Sequence, residues 1–75
     1  KLNKYILTRH AEERMRERNI SEKEVEKALR NPDMNYPGKS GEINIIKQIK
    51  EDKKIRVVYR EEKMLKIIIT AIVIN

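Results

Sequence analysis

Two stretches in the first half of the chain place apolar residues at helical spacing. Within residues 9–18 the apolar side chains are Ala11 and Met15, one turn apart, and Thr8 precedes them as a suitable N-cap. The pattern predicts a short helix that buries a narrow stripe. Residues 2–7, which come before it, predict a short strand or extended lead-in.

A second helix is predicted to begin at Ser21. Ser21 and Glu24 have the spacing of a capping box, in which each side chain accepts a backbone N–H that the helix leaves unpaired. The helix is expected to end at Asn31, because proline at position 32 disfavours helical backbone in the residue before it. Its buried stripe is predicted to consist of Val25, Ala28 and Leu29. Proline and glycine then indicate a loop over residues 32–41.

The second half of the chain has the spacing of β-strands. Strands are predicted over residues 42–50, 54–60 and 64–74, joined by short charged turns at 51–53 and 61–63. Turns this short connect antiparallel neighbours, so the three strands should form a meander, with the last strand, apolar on both faces, at its centre. The predicted fold class is α+β: two N-terminal helices packed on an antiparallel sheet of three to four strands.

Alternation along the predicted strands assigns each side chain to one of two faces. On the last strand one face is wholly apolar and is predicted to be core, namely Leu65, Ile67, Ile69, Ala71 and Val73. Ile55, Val57 and Tyr59 of the middle strand are expected to share that face. The opposite face mixes apolar residues with Arg56, Arg60, Lys66 and Thr70, as an open anion-binding cleft would.

Composition narrows the classes of function. The 75 residues predict a single domain over residues 1–75, with 39% hydrophobic and 40% charged side chains. A net charge of +6 favours a polyanion, RNA or DNA, as the partner, although a lysine- and glutamate-rich surface of the kind seen in thermophiles would also produce it. The longest apolar run, residues 67–74, is too short to span a membrane.

Cysteine is absent and there is one histidine. This composition excludes disulfide bridges, thiolate metal sites and a cysteine nucleophile, and we expect neither a metal nor another cofactor. No secretory leader opens the sequence as given, so the expected location is the cytoplasm.

His10, Arg14 and Arg18 lie beside the apolar stripe of the first predicted helix. A neutral His10 could take a proton from a ribose 2′-hydroxyl, while Arg14 held the neighbouring phosphate. The alternative is structural, since arginine stems often cover apolar surface and a histidine often bonds to backbone where a helix begins.

The run over residues 7–21, together with residues 56–59 and 68–70, resembles a family of small prokaryotic proteins catalogued as a domain of unknown function. That family is similar to an outlying branch of the RelE/ParE toxin superfamily, and the resemblance implies its β-α-α-β-β-β fold. It also implies a metal-independent endoribonuclease that uses the RNA 2′-hydroxyl as nucleophile, as the toxin of a toxin–antitoxin pair. The matching positions are Thr8, His10, Arg14, Arg18, Arg56, Tyr59 and Thr70.

Two hypotheses follow for the function. In the first the protein cleaves RNA, and His10 meets Arg56 or Thr70 at the rim of the sheet. The predicted catalytic residues are His10, Arg14, Arg56 and Thr70; the predicted RNA-binding residues are Arg18, Lys50, Arg60 and Lys66; Thr8 and Tyr59 are further candidates. In the second, a non-catalytic module of the same fold binds RNA or protein through the same basic face. The expected partners are RNA, a cognate antitoxin protein and a second copy of the chain.

Overall fold

Both predicted helices form. In the computed structural model, which describes residues 4–74, α1 spans Arg9–Glu17 and α2 spans Glu22–Arg30. The capping box at the start of α2 is complete, because Ser21 and Glu24 each accept the other's backbone N–H. The chemistry of the caps therefore sets where the helices begin.

Five strands form one sheet, in the spatial order β1-β5-β4-β3-β2. They are β1 (Tyr5–Leu7), β2 (Met34–Pro37), β3 (Ile43–Lys50), β4 (Lys53–Glu62) and β5 (Leu65–Val73). The last three form the predicted antiparallel meander, and β2 adds to it antiparallel to β3. The α+β class is confirmed.

The prediction differs from the structure in the sheet itself. Three to four strands were expected, and the fifth is β2, which lies within the predicted loop over residues 32–41. The sheet is also not wholly antiparallel, because β1 runs parallel to β5. The central strand is β4 rather than β5. Leu2 and Asn3 of the predicted lead-in lie outside the described residues.

A β-bulge changes which side chains of β5 face the core. Val58 is opposite Thr70, but Tyr59 is opposite Ile68, so Ile69 is an extra residue on β5. One extra residue reverses the alternation on its far side. Ile68 is consequently fully buried, whereas the predicted core residue Ile69 is only half-buried.

The predicted core face of β5 is therefore right on one side of the bulge and wrong on the other. Ala71 is fully buried as expected, although Val73 remains 36% exposed. Leu65 and Ile67, which come before the bulge, pair with Glu62 and Arg60 and lie on the other face.

One core lies between the two helices and one face of the sheet. Both helices contribute to it: α1 packs on β5, and α2 packs on β3 and β4. Its members are Ala11, Met15, Ile20, Val25, Ala28, Leu29, Ile45, Ile55, Val57, Tyr59, Ile68 and Ala71. Within residues 4–74, neither helix lies on the other face of the sheet.

Candidate nucleic-acid interface

The face of the sheet that the helices leave uncovered, called here the open sheet face, combines apolar and basic side chains. Strand register places Arg56 at its centre, between Ile46 on β3 and Ile72 on β5. Val58, the next residue of β4 on this face, lies between Asn44 and Thr70. The face includes Ile6, Met34, Tyr36, Asn44, Ile46, Lys54, Arg56, Val58, Arg60, Glu62, Leu65, Ile67, Thr70 and Ile72.

Arg56 has spare hydrogen-bonding capacity. Its side chain is half-buried, and its Nε is buried without a hydrogen-bond partner among the described residues. Its Nη1 lies 3.5 Å from the phenol oxygen of Tyr36, which is a long and weak hydrogen bond. A buried N–H without a partner is unfavourable. The guanidinium has further N–H donors beyond Nε, and an anion on the open sheet face would bind through those.

Tyr36 and Asn44 were not among the predicted site residues. They are directly opposite each other on β2 and β3, beside Arg56. Asn44 is only 9% exposed, the one polar side chain counted among the buried residues of the described chain. Tyr36 is 37% exposed, so its ring is available to a ligand on this face. The prediction missed Tyr36 because it fell within a predicted loop.

The predicted RNA-binding residues are dispersed. Arg60 lies on the open sheet face and donates through Nη1 to the carbonyl oxygen of Ser40, at 3.3 Å. Lys50 is exposed at the end of β3, and Arg18 is exposed at the C-cap of α1.

Lys66 was predicted on the same face as Arg56, and that placement is wrong. The bulge puts it on the helix-covered side, where its Nζ lies 5.4 Å from the centre of the Tyr59 ring. The same Nζ lies 3.4 Å from an oxygen of Glu61. Tyr59 itself is buried in the core, and that burial, with the charge of Glu61, raises the pKa of its phenol.

Thr8 fixes the start of α1 to β5. Its hydroxyl donates to the carbonyl oxygen of Ile68 at 2.8 Å and accepts the N–H of Ala11 at 3.1 Å. The same hydroxyl lies 3.4 Å from the carbonyl oxygen of Ile69, the residue before Thr70. The first turn of α1, which carries the exposed His10, therefore begins at the edge of the sheet beside β5.

The four predicted catalytic residues fall into two pairs. Arg56 and Thr70 are diagonal neighbours on the open sheet face. His10 and Arg14 lie on α1, which packs against the other face. Arg14 forms an ion pair with Glu17 at 2.7 Å, so part of its charge is already balanced. The structure thus places one pair on the open sheet face and the other pair on the helix that packs against the opposite face.

Two features are absent from residues 4–74. Between residues 4 and 74, no three side chains of His, Cys, Asp or Glu are grouped so that they could hold a metal ion. Within the same residues, neither helix is long and apolar enough to cross a membrane.

Comparison with known proteins places the chain in one family. The model of the family described as Domain of unknown function (DUF4258) matches residues 7–73, and the chain belongs to that family. No curated protein and no solved structure matches it. The predicted membership of a domain-of-unknown-function family is thus confirmed.

Proposed function

We propose that this protein binds RNA through the open sheet face, with the guanidinium of Arg56 on a backbone phosphate. The observation that carries the proposal is the buried, unpartnered Nε of Arg56 in the middle of an uncovered sheet. A phosphate would bind the other N–H groups of this guanidinium, since arginine can bind phosphate through two N–H groups at once.

The surroundings of Arg56 favour RNA over an isolated phosphate ion. Tyr36 and Met34, which are 37% and 58% exposed, offer aromatic and apolar surface within the same face. Unpaired RNA bases stack on such surfaces while basic side chains hold the backbone. The net charge of +6 would add long-range attraction for the strand.

Cleavage of the bound RNA is a second proposal, and the anchoring of Thr8 favours it. Thr8 is bonded to the carbonyl oxygens of Ile68 and Ile69, so the helix that bears His10 begins next to the strand that carries Thr70. In this mechanism His10 accepts the proton of a 2′-hydroxyl and the 2′-oxygen attacks phosphorus. The bond to the 5′-oxygen breaks, a 2′,3′-cyclic phosphate forms, and water protonates the leaving oxygen.

Cleavage of this kind would agree with a relationship to RelE/ParE toxins, which we include in the proposal. Two helices on a sheet that ends in an antiparallel meander support that relationship. The protein would then act in the cytoplasm as the toxin of a pair, and a cognate antitoxin would be its protein partner.

Binding is tested by fluorescence anisotropy with a labelled single-stranded RNA. Arg56→Gln should weaken the affinity about tenfold, as expected for loss of a charged hydrogen-bonding group. Arg9→Gln is the matched control, because Arg9 is exposed on α1 and has no partner among the described residues. It should change the affinity less than about twofold. Equal losses in the two variants would show that the attraction is diffuse, and would overturn the assignment of Arg56.

Salt dependence provides a separate test of RNA binding. Two to three phosphate contacts around Arg56 and Arg60 predict a slope of log affinity against log salt of roughly −2 for a single strand. A flat dependence would contradict an RNA ligand on this face.

Cleavage is tested by incubating the protein with RNA in the presence of EDTA. Products with 2′,3′-cyclic ends that disappear in His10→Ala would support the mechanism. If His10 and Arg56 act together, the double variant His10→Ala/Arg56→Ala should lose little more cleavage activity than the more damaging of the two single variants. Tight binding that leaves the RNA intact would show a binding module and reject the enzyme.

A further inference from the structure

A cleft of about 660 Å³ lies between α2 and β3, on the helix-covered side of the sheet. Lys47 lines the cleft and is opposite the core residue Ile55 in the strand register. This pairing places the cleft on the helix-covered side. Arg56 is on the other face, so the cleft is separate from the open sheet face. Its volume falls within the range of small-molecule sites.

Three cations of α2 line one side of the cleft. Lys23, Lys27 and Arg30 are separated by four and three residues, so they share one face of the helix over about 10 Å. None of their side chains forms a hydrogen bond or ion pair with any residue between 4 and 74. Their donors are therefore free to bind a ligand.

The acidic groups near these cations have other partners. Glu26, which also lines the cleft, accepts the phenol O–H of Tyr5 at 2.5 Å. Asp33 accepts the backbone N–H of Gln48 at 2.7 Å, and Lys47 approaches it only to 3.4 Å. Four cations and one carboxylate line the cleft, and Asp33 balances Lys47, so the three cations of α2 outnumber the carboxylate of Glu26 there.

Helix-dipole stabilisation does not explain all three cations on α2. Lys27 and Arg30 are in the last turn, where a positive charge is favourable. Lys23, however, is in the first turn, where a positive charge opposes the dipole. Its placement is unfavourable for the helix alone, and it becomes understandable if a ligand supplies negative charge.

We propose that this cleft binds linked phosphates, as in the triphosphate of a nucleotide. A short chain of phosphates carries several negative charges in a small volume, which matches cations distributed along two turns of helix. Lysine suits such a group because its ammonium is a flexible point charge. The same chemistry occurs in a free nucleoside triphosphate and in the 5′-triphosphate end of an RNA.

The first experiment is calorimetric titration of the full chain with inorganic tripolyphosphate at low salt. We expect binding to the wild-type protein and at least about tenfold weaker binding to Lys27→Gln/Arg30→Gln. The matched control is Arg9→Gln/Arg16→Gln, which removes two exposed, unpartnered cations from α1 and should change the affinity less than about twofold.

Two results would overturn the proposal. One is the absence of tripolyphosphate binding to folded wild-type protein, and the other is an equal loss in the two double variants. Arg56→Gln separates this site from the open sheet face, since it should leave tripolyphosphate binding unchanged. If Arg56→Gln abolishes tripolyphosphate binding, the phosphates bind at the open sheet face and the cleft is not a site.

Further titrations distinguish the two sources of the phosphates. ATP that binds at least as tightly as tripolyphosphate would identify a free nucleotide as an adequate ligand. The second source is tested with one RNA that carries either a 5′-triphosphate or a 5′-hydroxyl. Tighter binding of the triphosphate form that is lost in Lys27→Gln/Arg30→Gln would identify the RNA end.

Discussion

Strand β4 displays the contrast between the two faces of the sheet within a few residues. Ile55 and Val57 point to the helices and are fully buried, whereas Arg56 and Val58 point to the open sheet face and are half-buried. A sheet with one solvated face usually alternates apolar with polar residues. Here the uncovered face also carries apolar side chains, which is typical of a surface that contacts a partner.

The two faces also differ in how their polar groups are paired. On the helix-covered side, Thr8 bonds to the backbone of β5, and Lys53 bonds to both Glu24 and the carbonyl oxygen of Asn19. On the open sheet face, the Nε of Arg56 has no partner among the described residues. The first arrangement stabilises the fold, while the second reduces stability in a way that a ligand can reverse.

The largest change in stability is expected at the bulge in β5, which separates buried Ile68 from half-buried Ile69. Ile68→Ala should lower the free energy of unfolding by about 2–5 kcal/mol, because the side chain is fully buried. Ile69→Ala is the matched control, and it should cost less than about half as much since Ile69 is half-buried. Urea unfolding followed by circular dichroism measures both. Equal losses would mean that the bulge does not divide the two faces.

Local signals in the sequence predict part of this fold, and the bulge in β5 is a part that they do not predict. The caps at Thr8 and Ser21 and the alternation along β4 are local signals, and the corresponding elements form as expected. The bulge has no such signal, because consecutive isoleucines at 67–69 allow either face to be buried. Only pairing with β4 determines the choice.

Removing a satisfied polar group from the helix-covered side should be the next largest effect. Thr8→Ala loses the N-cap and the bond to Ile68, and should lower the free energy of unfolding by about 2 kcal/mol. Ser21→Ala, which loses a cap without a bond to the sheet, should cost about 1 kcal/mol. Thermal denaturation compares them. If Ser21→Ala proves the more harmful, Thr8 does not anchor α1 to β5.

Removing the unpartnered guanidinium from the open sheet face should raise the free energy of unfolding instead of lowering it. Arg56→Met keeps much of the apolar stem and removes a buried N–H that has no acceptor, so it should raise the free energy of unfolding by about 1 kcal/mol. Arg60→Met is the control, because Arg60 is exposed and bonds to Ser40. A loss of stability in Arg56→Met, measured by urea unfolding, would show that the guanidinium supports the fold.

The candidate site was only partly predictable. Arg56 was identifiable because a basic residue interrupts the apolar pattern of a strand. Tyr36 was missed, because all four residues of β2 are exposed and Pro37 with Gly38 indicates a loop. The alternation of Met34 with Tyr36 was the one local sign of a strand there. Lys66 was misplaced because of the bulge, which depends on pairing between distant residues.

The smallest expected effect is the pH dependence of the helix-covered side. Burial of the Glu24 carboxyl raises its pKa, but hydrogen bonds from Lys53 and the Ser21 N–H outweigh burial, and the net pKa is lowered. The charged form is therefore favoured by folding. Its contribution is present above the ordinary glutamate pKa of about 4.3 and is lost as the pH falls through the lowered folded value.

Glu24→Gln should accordingly cost about 1 kcal/mol at neutral pH and flatten the decline of stability below about pH 4. The decline should not vanish, because the Gln48 N–H and Lys47 also lower the pKa of Asp33. Glu13→Gln, at an exposed position of α1, is the control and should keep the wild-type profile. Urea unfolding between pH 7 and about pH 3 measures all three proteins. Parallel profiles for the wild type and Glu24→Gln would show that the bond between Lys53 and Glu24 contributes nothing to the stability of this side.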